Sequence, residues 1–270
     1  VEFILGYTDK NTYYPGDSVQ IRLNPSASFA ATSTVGSLYS SAVTTGWKLI
    51  RMHDGAYVDS GTITIQPSVV APPDQDQNWP LTLSLPLASN LVPGLYHFRC
   101  DQSNYQVGVY FCVRPVVKSE IIVIIPTNTF QAYANYGGKS MYYYNSTGGN
   151  ATKVSFNRPM SIPFYEFFTE CTPLCRWLQS NFSCDFATDR DLHNDATLLT
   201  GYKSVVLVQH SEYWSRPMRN NLENYLQAKG NVTCLSGNTI FWSVRYEDGG
   251  NSMYCSRSTD PLAPNDPGSD

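Results

Sequence analysis

The run Val205-Val-Leu-Val-Gln-His210-Ser-Glu212-Tyr-Trp-Ser215 restricts the fold of this chain more than any other segment. Val205 to Val208 are apolar without alternation, which predicts a strand covered on both faces. Such strands belong to parallel sheets. Polar residues follow at once, and a helix is predicted to begin near Ser215-Arg-Pro217. In an open α/β sheet, ligands bind beyond the carboxyl ends of the strands. His210 and Glu212 therefore stand where such a fold places its chemistry. A carboxylate at a strand end is also a common surface feature, so the pair needs companions before it means anything.

The flanking sequence divides in two. Residues 1–117 read as all-β. Tyr14-Pro-Gly-Asp-Ser is a turn, followed by the alternating Val19-Gln-Ile-Arg-Leu23. Gly46–Arg51, Thr62–Ile65 and Leu81–Leu85 are further strands, and Pro93–Cys100 with Gln106–Arg114 form a hairpin. Regular turns between short strands predict an immunoglobulin-like β-sandwich. Ser26–Thr45 and Gln66–Asn78 read as loops. Residues 118–270 alternate strands with helices, predicting an α/β domain with a parallel sheet and helices on both faces. Its strands are Glu120–Ile125, Asp185–Thr188, Val205–Gln209 and Asn231–Gly237. Helices are expected over Pro163–Gln179, kinked or restarted at Pro173, and over Met218–Ala228, capped by Lys229-Gly230. Phe164, Phe167, Phe168, Leu174, Trp177 and Leu178 give the first helix its apolar face, and Asp189-Arg-Asp-Leu-His193 reads as a solvated loop.

A net charge of -4 and the lack of a basic cluster argue against a nucleic-acid partner. No apolar run approaches the about 20 residues that span a bilayer. The chain opens at Val1 without an initiator methionine, which reads as processing. Asn145-Ser-Thr, Asn150-Ala-Thr, Asn181-Phe-Ser and Asn231-Val-Thr fit the N-glycosylation acceptor pattern. With seven cysteines and few lysines, they point to an extracellular or secretory-lumen glycoprotein carrying N-linked glycans. The disulfide candidates are Cys100, Cys112, Cys171, Cys175, Cys184, Cys234 and Cys255. The expected pairs are Cys100–Cys112 across the hairpin and Cys234–Cys255, with one thiol left over among the other three. Zinc is the alternative for those three, although their spacing fits no familiar site and a fourth ligand is missing.

Two more polar clusters follow predicted strands. The first contains Thr129-Phe-Gln-Ala-Tyr133-Ala-Asn-Tyr-Gly-Gly138 and Tyr142; the second is Gly237-Asn238-Thr-Ile-Phe-Trp242. A parallel sheet brings both to the edge that carries His210 and Glu212. These motifs, with Arg158-Pro159 between them and His210-x-Glu212-Tyr-Trp after it, resemble the large (beta) subunit of the N,N-dimethylformamidase family in order and approximate spacing. The resemblance extends from about Tyr13 to the Asp260-Pro261 region. It implies a glutamine-amidotransferase-like (flavodoxin-like) α/β domain and a mononuclear iron held by two tyrosines and a glutamate. On matching positions the metal ligands are Tyr133, Tyr142 and Glu212, with His210 and Asn238 as catalytic companions. Only eight residues separate Tyr133 from Tyr142, where the family enzyme has a longer insertion, and Tyr143 and Tyr144 compete for the second position.

Phenolate and carboxylate are hard anionic oxygen donors that suit Fe3+ better than zinc. Such a metal could polarise a small amide substrate, with His210 moving protons and Asn238 donating to a developing oxyanion. The bland reading is that Tyr133 is a packed aromatic among 19 tyrosines and that His210 bonds a backbone carbonyl. His53, His97 and His193 lack motif context and read as structural or exposed. A glutaminase triad is excluded by residue type: the strand-end elbow carries Ser211-Glu212 rather than cysteine, and no histidine follows His210. Two functions remain: a secreted metal-dependent amide hydrolase, and a non-catalytic extracellular binding or structural glycoprotein that keeps the fold. A homo-oligomer or larger extracellular assembly fits either.

Overall fold

The computed structural model describes residues 3–26, 41–102, 108–160 and 171–256. Strands and helices are numbered in chain order. The first sheet is antiparallel: β1 (Phe3–Thr8), β3 (Ser18–Ser26) and β6 (Leu83–Pro86), with β3 in the middle. The second holds β2 (Thr12–Tyr13), β4 (Val43–Arg51), β5 (Tyr57–Ile65), β7 (Gly94–Cys100) and β8 (Gly108–Val113), ordered β2-β8-β7-β4-β5. Alternating side chains of both sheets, such as Val19, Ile21 and Leu23 facing Trp47, Phe98 and Phe111, fill one apolar core. The predicted strands and the β7–β8 hairpin are present; Val43–Thr45, expected in a loop, extends β4. Pro15-Gly16 makes the expected turn, Gly16 supplying the positive φ, and Asp17 N–H closes it onto the Tyr14 carbonyl at 3.0 Å.

The third sheet is wholly parallel: β9 (Ile121–Ile125), β11 (Cys184–Thr188), β12 (Ser204–His210) and β14 (Asn231–Gly237), ordered β11-β9-β12-β14. The unbroken apolar runs of β9 and β12 now have their cause. Ile122, Ile124, Val205 and Leu207 pack on one face against Leu192, Met218, Leu222 and Tyr225. Val123, Ile125, Val206 and Val208 pack on the other against Cys175 and Leu178, and also against Leu95 and Tyr110 of the second sheet. Helices thus cover one face, while a helix shares the other with the β7–β8 hairpin. Each of these buried aliphatics contributes roughly 1.5–3 kcal/mol. A small mixed sheet, β10 (Lys153–Ser155), β16 (Ser252–Tyr254), β15 (Trp242–Glu247) and β13 (Tyr213–Ser215) in that order, lies beyond the parallel strands.

Four α-helices are described: α1 (Thr127–Tyr133), α2 (Thr172–Asn181), α3 (Asp189–Asn194) and α4 (Arg216–Gln227). Pro173 stands in the first turn of α2, where its missing N–H is tolerated. The part of the predicted helix carrying Phe164, Phe167 and Phe168 lies outside the described residues. The Asp189–His193 segment is not a solvated loop. Thr188 and Asp191 form a reciprocal capping box that nucleates α3, and Asp189 is buried. No helix among the described residues is long and apolar enough to cross a membrane.

The expected cysteine pairs do not form: no disulfide joins the seven cysteines, all of which are among the described residues. Register is the reason for the first pair: Cys112 lies opposite Leu95, not Cys100, and the two thiols enter different cores. Cys234 is exposed on β14, whereas Cys255 is buried against Val154 and Met253. Cys171 and Cys175 bring their Sγ atoms to 3.7 Å. Among the described residues no three His, Cys, Asp or Glu side chains are grouped to hold a metal, so the zinc alternative lacks a site.

Candidate metal centre

Glu212 lies two residues past the end of β12 and is 1% exposed. Its backbone N–H donates to Thr129 Oγ1 at 3.0 Å, tying the strand end to α1. Its carbonyl accepts from the N–H groups of Phe241 and Trp242 at 2.9 and 2.8 Å, tying it to the segment after β14. The carboxylate is held from both sides before its side chain meets any partner.

The two carboxylate oxygens receive two phenols. Tyr133 Oη donates to Oε1 at 2.9 Å, and Tyr142 Oη donates to Oε2 at 2.8 Å. The two rings lie 4.2 Å apart, centroid to centroid. Asn238 Nδ2 donates to Oε1 at 3.2 Å, and His210 Nδ1 lies 3.8 Å from the same oxygen with its ring half exposed. All five residues expected from the sequence therefore meet around one carboxylate. Tyr143 and Tyr144 are 77% and 72% exposed; Tyr142 is the member of that run that reaches Glu212. Tyr213 is a participant the sequence did not single out. It sits within the His-x-Glu-Tyr motif, and its hydroxyl donates to Tyr142 Oη at 2.8 Å.

The surrounding backbone is strained. Gln209, Asn238 and Ile240 take positive φ of 59°, 47° and 55°, a conformation that costs non-glycine residues about 1–3 kcal/mol. Such strain persists where surrounding contacts over-determine it, and all three residues flank the cluster. Gly237 is needed for another reason. A Cβ there would come within 2.9 Å of the His210 ring, which rests on this glycine.

Arg158 holds the tyrosine-bearing segment. It is 0% exposed and pairs with no carboxylate among the described residues. Its guanidinium donates to the carbonyls of Gln131, Ala134, Tyr136 and Lys139 and to Gln131 Oε1, over 2.7–3.2 Å. The carbonyls at the end of a helix lack intrahelical partners and carry partial negative charge, so a cation is well placed there. Burial lowers the Arg158 pKa to about 9, which leaves it charged at neutral pH. Gly137 completes the turn: its φ is +87°, and a Cβ would meet the Ala71 carbonyl at 2.8 Å.

Burial, then the neighbouring Tyr142 and the Glu212 charge, push the Tyr133 phenol far above its ordinary pKa. Burial and Tyr213 do the same for Tyr142. Without a cation both phenols keep their protons. A buried carboxylate ordinarily needs a cationic partner. No lysine or arginine pairs with Glu212 among the described residues. One carboxylate and two phenol oxygens that converge this way form a hard, potentially trianionic donor set, which fits a ferric ion. The remaining histidines are elsewhere: His97 is buried on Tyr110, and His193 stacks on Tyr246 with Nδ1 2.7 Å from Ser215 Oγ.

A family model described as N,N-dimethylformamidase beta subunit-like, C-terminal, matches residues 43–269. The chain belongs to that family. No curated protein matches it. The match spans every residue of the Glu212 cluster, so this dimethylformamidase-like chain carries the cluster within its family region. The first 42 residues, with β1 to β3, lie outside the match.

Proposed function

We propose that this chain binds a ferric ion through Tyr133, Tyr142 and Glu212 and hydrolyses the C–N bond of small linear amides. One observation carries the proposal: each oxygen of a buried carboxylate, which pairs with no lysine or arginine among the described residues, receives its own tyrosine hydroxyl. The chemistry a metal supplies there, when bound, is Lewis acidity toward an amide carbonyl. The chain's own groups do the rest. His210 stands beside Glu212 at the exposed rim, where an imidazole can take a proton from water and return it to the departing amine. Asn238 presents an amide N–H to the same centre, placed to orient a carbonyl oxygen. Tyr213 keeps Tyr142 aimed inward. The reading extends to a glutamine-amidotransferase-like domain over 118–270 behind an immunoglobulin-like sandwich over 1–117. It places the protein outside the cell or in the secretory lumen, supported by exposed sequon asparagines at 150, 181 and 231.

Titration of the metal-free protein with Fe3+ tests this directly. The wild type should develop a visible tyrosinate-to-iron band and release dimethylamine from N,N-dimethylformamide. Glu212→Gln should stay folded, since its amide can still meet both phenols, and lose the band. Equal iron uptake by E212Q, or none by the wild type, would refute the assignment and leave a binding glycoprotein as the function.

A further inference from the structure

We infer that Asn145 is a positioning residue for the Tyr133–Tyr142 pair and carries no glycan, although Asn145-Ser146-Thr147 reads as an acceptor sequon. The positioning half rests on the proposed iron site; the glycan half stands without it.

The four sequon asparagines differ in their surroundings. Asn150, Asn181 and Asn231 are exposed, although Nδ2 of Asn181 and of Asn231 also donates to a backbone carbonyl, of Trp177 at 2.7 Å and of Lys203 at 3.0 Å; Asn145 differs in being half-buried with both ends of its side-chain amide bonded. Asn145 Nδ2, the atom a glycan would occupy, donates to the Tyr133 carbonyl at 3.0 Å. Its Oδ1 accepts from Ser140 Oγ. Its own carbonyl accepts from Asn135 Nδ2 at 3.1 Å. Ser146, the middle residue of the sequon, donates through Oγ to the Tyr142 carbonyl at 2.6 Å and accepts from the Ser140 N–H at 2.9 Å. Thr147 joins through its backbone N–H, which reaches the Gly138 carbonyl at 2.9 Å.

The dipeptide Asn145-Ser146 thus grips the main chain of one tyrosine with its first side chain and of the other with its second. Both tyrosines then present their hydroxyls to Glu212. An N-linked sugar would replace one of the two Nδ2 hydrogens of a half-buried amide already fixed at Nδ2 by Tyr133 and at Oδ1 by Ser140. The acceptor pattern here records a hydrogen-bonding requirement that happens to use the same residues.

The full chain, secreted from a eukaryotic host, provides the test. Released with peptide-N-glycosidase in heavy-oxygen water, Asn145 should be recovered unlabelled, with label confined to the other sequons. Thr147→Ala destroys the acceptor pattern but leaves both gripping side chains; its intact mass should differ from wild type by the substitution alone. Label at Asn145, or loss of a glycan mass in T147A, would overturn the unglycosylated assignment. For positioning, Asn145→Asp and Asn145→Ser remove the donor to Tyr133. Loss of such a supporting partner weakens metal binding by about 10–100-fold. T147A should bind Fe3+ like the wild type. In the metal-free protein, N145S should alter the tyrosine near-ultraviolet dichroism while leaving the far-ultraviolet spectrum and T147A unchanged. Folded N145D and N145S with wild-type dichroism would overturn the positioning role. Absence of iron uptake with altered dichroism would remove only the metal reading.

Discussion

Replacing Arg158 measures how much the tyrosine segment depends on one buried cation. A guanidinium offers five N–H donors, and here all five contacts end on oxygens of residues 131–139. Arg158→Met keeps the apolar stem and removes every donor. The carbonyls of Gln131, Ala134 and Tyr136 are then left in the interior, and each unsatisfied buried group costs about 1–3 kcal/mol. The summed loss is therefore at least about 3 kcal/mol, well above an average substitution. Arg158→Lys retains the charge, but an ammonium has three donors. It leaves two acceptors unmet, a loss of roughly 2 kcal/mol or more. Because no carboxylate pairs with the guanidinium among the described residues, neither variant strands an opposite charge there, and the difference reads hydrogen bonding. Equilibrium urea unfolding at fixed pH supplies the numbers, with native gel filtration to exclude aggregation. The expected order of stability is wild type, then R158K, then R158M. If R158M unfolds within about 0.5 kcal/mol of wild type, the segment is held by something else and the reasoning is wrong.

Burial raises the Asp189 carboxyl to about 7 against the hydrogen bonds it accepts from Thr127 and Asn128. The folded state holds a proton that the unfolded chain releases near its ordinary value, so this stabilisation is complete below about pH 4 and fades as pH rises through about 7. Asp189→Asn should flatten that decline, worth up to roughly 4 kcal/mol, in unfolding curves from pH 4 to 8; a parallel decline in both proteins would contradict the assignment. Gly237→Ala should push the His210 ring aside and depress amide turnover while Fe3+ uptake stays unchanged; loss of both activities together would mean that the glycine acts on the fold. Native alkylation should modify Cys234 first and leave Cys100, Cys112, Cys171, Cys175 and Cys255 protected. All seven thiols should become reactive in denaturant without reductant; fewer would reveal a disulfide formed in an oxidising compartment.

Much of the site was legible because it is written locally. Two uninterrupted apolar runs announced β9 and β12, and polar residues directly after them could only fall at one sheet edge. Tyr133, Tyr142, His210, Glu212 and Asn238 followed from that topology together with the family motifs. What escaped depends on partners distant in sequence or on register. Arg158 stands in a conspicuous Arg-Pro pair, yet its five acceptors come from the end of α1 and the turn after it, which periodicity does not reveal. The Cys100–Cys112 error came from assuming that hairpin cysteines face each other; a five-residue offset in pairing sends them to opposite faces. The charges of Asp189–His193 suggest solvent, whereas Thr188 and Asp191 at a spacing of three carry the capping signal that makes the segment a helix.

β14 pairs with β12 on one side and forms the outer limit of the parallel sheet, with most of its residues exposed. Glu212 and Tyr133 follow the interior strands β12 and β9, whereas Asn238 follows this outer one. The centre is therefore mechanically unequal. Tyr133 and His210 adjoin the protected interior strands, whereas Asn238 hangs from the part that frays first. A bound ion or substrate that engaged Asn238 would slow amide exchange along Asn231–Gly237 far more than along Ile121–Ile125. If the outer strand frays, the Asn238 contact is lost first, while Tyr133 and Tyr142 still hold the carboxylate.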